Sequence, residues 1–106
     1  MVAPDRGDLV WITVDPKGDG AATRRPALVV SPARYNERSG LALMCAIASR
    51  AKGYPFEVAL PEGLPVSGVI LADHLRSADW KIRGAEIVAR APSDVVTEVL
   101  AKLKPL

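Results

Sequence analysis

The sequence predicts a mainly β domain with one C-terminal helix, built as a small closed or half-open barrel. Three observations carry this. Short stretches rich in β-branched and aromatic residues recur along the 106-residue chain, and such residues favour strands. Turns containing glycine or proline punctuate them, with no linker long enough to divide the chain, so residues 1–106 read as a single domain. Only the final stretch spaces its apolar residues as a helix would.

The first strand lies in "GDLVWITVDP" (Gly7–Pro16), which alternates in part and stops at Asp-Pro. "KGDGAATR" (Lys17–Arg24) is a glycine-rich loop longer than a hairpin needs, and long loops in compact domains tend to carry function. Ala27–Ser31 is the second strand, and "SPARYNERSG" (Ser31–Gly40) reads as a polar connection with turn chemistry at each end. Leu41–Ser49 is continuously apolar, which fits a strand buried on both faces; a short buried helix would look similar. After the turn "RAKGYP", Phe56–Leu60 alternates cleanly as a strand. "PEGLPVSG" breaks the chain with two prolines and two glycines. "VILADHLRS" (Val69–Ser77) then begins as a strand and becomes irregular, and after the polar link "DWKIRG" Ala85–Ala91 alternates again. In "APSDVVTEVLAKLKPL" the residues Val95, Val96, Val99, Leu100 and Leu103 follow helical spacing. Pro92 suits the first turn, acidic residues lie toward the N-terminus, and Lys102 and Lys104 lie toward the C-terminus, as the helix dipole favours.

Composition excludes several classes. With 49% apolar and 25% charged residues the chain is globular and not disordered, although its modest size would gain from a partner. The longest apolar run, Leu41–Ala48, is too short to cross a bilayer, and "MVAPDRGD" carries no secretory signal, so a cytoplasmic protein without membrane contact is expected. The single cysteine, Cys45, cannot form an internal disulfide and is expected in the core. Net charge is +2, but from Arg24 to Arg83 nine Lys/Arg face five Asp/Glu, while the first 23 residues carry −2 and the last 23 are neutral. That basic middle is compatible with a polyanion partner and equally with a solvated surface.

The chemistry is bounded by what is missing. One histidine, His74, and one cysteine give neither a zinc site nor a Cys–His nucleophile pair. No Walker loop or dinucleotide fingerprint is present, and the carboxylates are too scattered for a two-metal nuclease, so no metal or cofactor is expected. RNA escapes these requirements because it carries its own nucleophile, the 2′-hydroxyl. A protein that aligns this group and neutralises charge on the phosphoryl oxygens can drive self-scission. In "TRRPALVVSPARYN" two arginines precede a strand-opening proline. A guanidinium beside a rigid strand suits the gripping of phosphate, because its planar fork binds two oxygens and stays charged.

"PDRGDLVWITVDP", "RRPALVVSPARYN", "SRAKGYPFEV" and "GVILADHLRSADWKIRG", in this order and spacing, resemble the MazF/PemK toxin family. The resemblance runs from about Pro4 to Leu106. It implies a small SH3-like barrel of the PemK/CcdB type, a homodimer, and metal-independent, sequence-specific cleavage of single-stranded RNA. It also implies a cognate MazE-like antitoxin wrapped over the groove. The family's catalytic arginine falls on Arg25. Its threonine partner, in a pattern like I-T-S-R, falls on Ala48 in "AIASRAK". Ser49 follows as a candidate substitute, but side chains alternate along a strand and Ser49 points away from the face of residue 48. Either a bulge brings Ser49 to the site or the enzyme is weakened. The first loop also lacks the glutamate common in relatives.

The resemblance leaves further candidates for RNA contact: Lys17, Arg24, Arg50, Lys52 and Lys81 on the backbone, with Tyr54 and Trp80 stacking on bases. A core-capping or dimer-contact role suits Trp80 as well. Trp11 reads as core or interface, and His74 as structural or as a proton shuttle. Two other functions fit the same chain: a toxin of this barrel shape that acts on a protein such as DNA gyrase, and an RNA binder that does not cut.

Overall fold

The computed structural model describes residues 2–14 and 23–106. Its elements are β1 (Asp8–Thr13), β2 (Arg24–Val29), α1 (Ala33–Ser39), β3 (Leu41–Ala48), β4 (Glu57–Ala59), β5 (Val69–Asp79), β6 (Glu86–Arg90) and α2 (Ser93–Leu103). The strands form one sheet in the order β4-β5-β3-β2-β1-β6, with antiparallel pairings throughout. The outer strands β4 and β6 are not paired with each other, so of the two expected architectures the half-open one is realised.

Alternation along the central strands sends residues to two apolar clusters, one on each face. Leu9, Leu28, Cys45, Ile47 and Ile70 meet Val95 and Val99 of α2 on one side. Val10, Ile12, Ala27, Val29, Met44 and Ala78 gather on the other. The strand reading of Leu41–Ser49 therefore holds, and the helical alternative does not. Cys45 is fully buried, and desolvation pushes its thiol up to about 11, so it is a small core residue.

Three expectations need correction. The polar connection Ser31–Gly40 contains α1, bounded by Pro32 in extended conformation and by left-handed Gly40 (φ 76°), whose N–H donates to Asn36 O at 3.0 Å. Its N-terminus is satisfied from a distance: Ala33 N–H donates to the Asp5 carboxylate at 2.8 Å, a bond that holds the Asp5 pKa below its ordinary value. Only the polar Asn36 is buried on this helix, so no apolar period announces it.

Trp80, expected in a polar loop, is 2% exposed and sits in the second cluster. Its indole N–H donates to Asn36 O at 2.9 Å, while Asn36 Nδ2 donates to Pro4 O (2.7 Å) and Ser31 O (2.9 Å). A ring packed this way cannot stack on a base.

The irregular part of Val69–Ser77 is one strand with an insertion. Cys45 lies opposite Leu75 and Ile47 opposite Ile70, so two steps along β3 match five along β5. The surplus bows β5 outward and changes where its side chains emerge.

Candidate active site

Arg25 lies opposite Ile12 of β1. On its other side Ala27 pairs with Ala46, and continuing that register by two residues sets Arg25 across from Ala48. Cross-strand neighbours on one face stand about 5 Å apart at Cβ, so sheet geometry alone brings these two together. They line one groove of about 520 Å3 whose floor includes Ile12, Ala27 and Met44. Among the described residues its only polar side chains are those of Arg25, His74 and Arg76.

Ala48 is also where two further grooves meet the first. One, of about 490 Å3, takes in Trp11, Arg24, Arg25, Ser49 and Ser67. The other, of about 190 Å3, takes in Arg50, Lys52, Tyr54, Glu57, Asp73 and His74. Arg25 is exposed, and its guanidinium has no hydrogen bond or ion pair among the described residues. A cationic fork without an internal partner is a ready receptor for an anion.

Comparison with known proteins gives this arrangement a family. Residues 5–106 match the family described as PemK-like, MazF-like toxin of type II toxin-antitoxin system. The chain belongs to the PemK/MazF toxin family. It is 41% identical over 104 residues to the endoribonuclease toxin MazF of Escherichia coli strain K12, covering 97% of this chain and 93% of that protein. Among solved structures it resembles MazF of Deinococcus radiodurans, with 57% identity, a TM-score of 0.87, and 97% and 94% of the two chains covered. A MazE–MazF crystal structure from the same organism gives 55% identity and a TM-score of 0.89, covering 97% and 94% of the chains.

Within this PemK/MazF chain the adjacent arginines have separate situations. Arg24 points to the opposite face and is already engaged. It donates to Thr13 Oγ1 (3.0 Å), to Gly84 O (3.1 Å) and to Glu86 Oε1 (3.3 Å), bracing the β1–β2–β6 corner. An expected role for Arg24 on a phosphate would cost these bonds. Ser49 lies in the second groove, with Arg24 and Arg25, and does not line the first. The register shift in β3 falls before Ile47, and the strand ends at Ala48, so Ser49 lies just beyond it.

Arg50, Lys52 and Tyr54 come together on the β3–β4 loop, and Glu57 explains how. Its carboxylate accepts from Lys52 N–H (2.9 Å) and Gly53 N–H (3.1 Å), with Gly53 in a left-handed conformation (φ 84°). Consecutive N–H groups converging in this way form an anion nest, filled here by the chain's own side chain. Hydrogen bonds to an ionised group contribute about 1.5–3 kcal/mol. Glu57→Ala is therefore expected to speed amide exchange at Lys52 and Gly53 by about tenfold or more while global unfolding changes little. Hydrogen exchange read residue by residue checks this, and unchanged protection at both amides contradicts it.

Lys81 places its Nζ 5.2 Å from the Trp80 ring centroid and lines none of the three grooves. Lys17 lies outside the described residues, as does most of the first loop. Arg76 and Glu57 escaped the sequence reading. The signal for Arg76 was its position two residues after His74 on a strand; that for Glu57 was its place within "KGYPFEV".

Proposed function

We propose that this chain is the toxin of a toxin–antitoxin pair and cuts single-stranded RNA without a metal ion, in the groove between Arg25 and Ala48. The observation that carries this is the Arg25 guanidinium on a central strand, without a partner among the described residues, in a groove whose other described polar side chains are His74 and Arg76. Its family relatives include proteins named endoribonucleases.

The chemistry follows from the substrate. The 2′-oxygen attacks the adjacent phosphorus in line, a 2′-O–P bond forms and the P–O5′ bond breaks. The products are a 2′,3′-cyclic phosphate and a 5′-hydroxyl. Negative charge concentrates on the non-bridging oxygens at the transition state, and the Arg25 fork is held by β2 to meet it. Arg50, Lys52 and Tyr54 line the continuation of the track at Ala48, suited to backbone charge and base stacking. A homodimer and a MazE-like antitoxin complete the reading. An acidic, partly disordered peptide with a few apolar anchors would complement the groove, and MazF of D. radiodurans has been crystallised with MazE.

Incubating the protein with a long unstructured RNA in EDTA tests the proposal. Fragments ending in cyclic phosphate and 5′-hydroxyl are expected; activity that requires a divalent ion sinks it.

A second reading, binding without efficient cutting, is favoured by one observation: the position of the family threonine carries only a methyl group. A hydroxyl bonded to a charged phosphate contributes about 1.5–3 kcal/mol, so Ala48→Thr is expected to raise the cleavage rate by about 10- to 100-fold. Single-turnover kinetics on a fixed RNA measures it. Tight RNA binding with no cleavage in the threonine variant would establish the second reading instead.

A further inference from the structure

We propose that His74 is a catalytic residue, the base that takes the 2′-hydroxyl proton. This inference rests on the ribonuclease reading and extends it. Removing the attacking hydroxyl's proton needs an acceptor, and a permanently charged guanidinium cannot serve. In the Arg25 groove the polar side chains among the described residues are Arg25, Arg76 and His74, so the imidazole is the one proton acceptor that the described residues place there. Ala48 offers no polar side-chain atom.

The bowed segment of β5 puts the imidazole in place. Arg76 lies opposite Met44, a residue of the face on which Arg25 stands, and His74 lines the same groove as Arg25 and Arg76. The surplus residues between Ile70 and Leu75 carry His74 outward, where it lines both the Arg25 groove and the neighbouring groove of Arg50, Lys52 and Tyr54. Among groove residues only Ala48, Leu71 and His74 belong to both. A nucleotide whose phosphate rests on Arg25 and whose strand continues past Ala48 runs alongside His74. The ring is exposed and makes no hydrogen bond to described residues.

The alternatives around it are occupied or elsewhere. Glu57 accepts from the Lys52 and Gly53 amides with its carboxylate. Asp73 lines the Arg50 groove but not that of Arg25. The remaining charged groups facing His74 among the described residues are Arg25 from β2, Arg76 from its own strand, and Arg50 and Lys52 from the β3–β4 loop, with the Tyr54 phenol beside them. All four cations can hold phosphate, and none can receive a proton.

The step balances with water. The unprotonated imidazole nitrogen takes the 2′-hydroxyl proton as the 2′-O–P bond forms. The P–O5′ bond breaks with its electron pair, and O5′ takes a proton from water. The hydroxide so formed removes the proton from the imidazolium and restores the neutral ring.

The test follows cleavage of an unstructured RNA in EDTA from about pH 5 to about pH 8. The Ala48→Thr protein serves as the parent, compared with the same protein carrying His74→Gln or His74→Ala. The parent rate is expected to fall toward acid pH. Both His74 variants are expected to lose about 10²-fold in rate and to lose that acid limb, with KM unchanged. A residue that merely shaped the surface would move KM and leave the pH profile intact, and that result overturns the inference. So does a parent rate that rises toward acid pH, which would assign the ring to the leaving oxygen. Inertness of the parent itself rejects the ribonuclease reading, and this inference with it, and is distinct from cleavage that survives the loss of His74.

Discussion

Arg25→Ala is expected to reduce RNA cleavage by about 10³-fold, roughly 4 kcal/mol of transition-state stabilisation, while leaving the fold untouched. The side chain is exposed and has no partner among the described residues, so its removal breaks no bond to any of them. Thermal stability should stay within about 0.5 kcal/mol of the parent, as for other surface changes. Arg25→Lys discriminates between charge and geometry. It keeps the positive charge but loses the planar fork, and should fall between parent and alanine variant. Arg24→Ala should behave in the opposite manner, because its guanidinium holds Thr13, Gly84 and Glu86 together. Cleavage rates and melting curves for the three variants check the pattern. An Arg25→Ala protein that cuts at the parental rate removes the basis of the proposed function.

The second large effect is structural and lies beside the same site. Gly68 has φ +121°, and a Cβ added there would fall 2.0 Å from Ala48 O and 3.2 Å from Ser49 Cα. Both neighbours are backbone, so no side chain can swing aside. Val69 pairs with Ala48 in the β3–β5 ladder, and Gly68 O accepts from Leu60 N–H at 3.0 Å, so the glycine is held on both sides. Gly68→Ala combines backbone strain of about 1–3 kcal/mol with a clash that must push β3 away. A loss of about 3 kcal/mol or more is expected, a fall in midpoint of about 10–20 °C. Gly63→Ala is the control. It also has a positive φ (+92°) but nothing within 4 Å, so it should show only the conformational cost. Equal melting temperatures for the two variants would contradict the close approach. Because Ala48 sits where the three grooves join, whatever Gly68→Ala protein still folds should also cut more slowly.

Much of this architecture was legible because strand periodicity is local. The alternation of Phe56–Leu60 and Ala85–Ala91, and the helical spacing of Val95, Val99 and Leu103, depend on neighbours a few positions away. What escaped depends on distant contacts. The start of α1 is satisfied by Asp5, 28 residues earlier, and the only fully enclosed residue on that helix is an asparagine. Trp80 lies among polar residues in "ADWKIRG" and is buried because Asn36, 44 residues away, receives its N–H. The company of Arg25, His74 and Arg76 could not be read either, since it turns on surplus residues in β5 that have no counterpart in β3. Arg25 stands out by its place before Pro26 and by resemblance; that Arg24 has partners among the described residues and Arg25 has none there is a fact of tertiary structure.

The order of the strands has a consequence for how the molecule comes into being. β1 has β2 on one flank and β6, residues 86–90, on the other, while β3 waits for β5. Closing contacts across most of the chain is slow compared with winding helices, and sheets of this kind fold in milliseconds to seconds. A chain emerging from the ribosome therefore holds Arg25 and Ala48 long before it has the strand that walls their groove. Completion is a late event, and a partly synthesised copy is an unfinished tool.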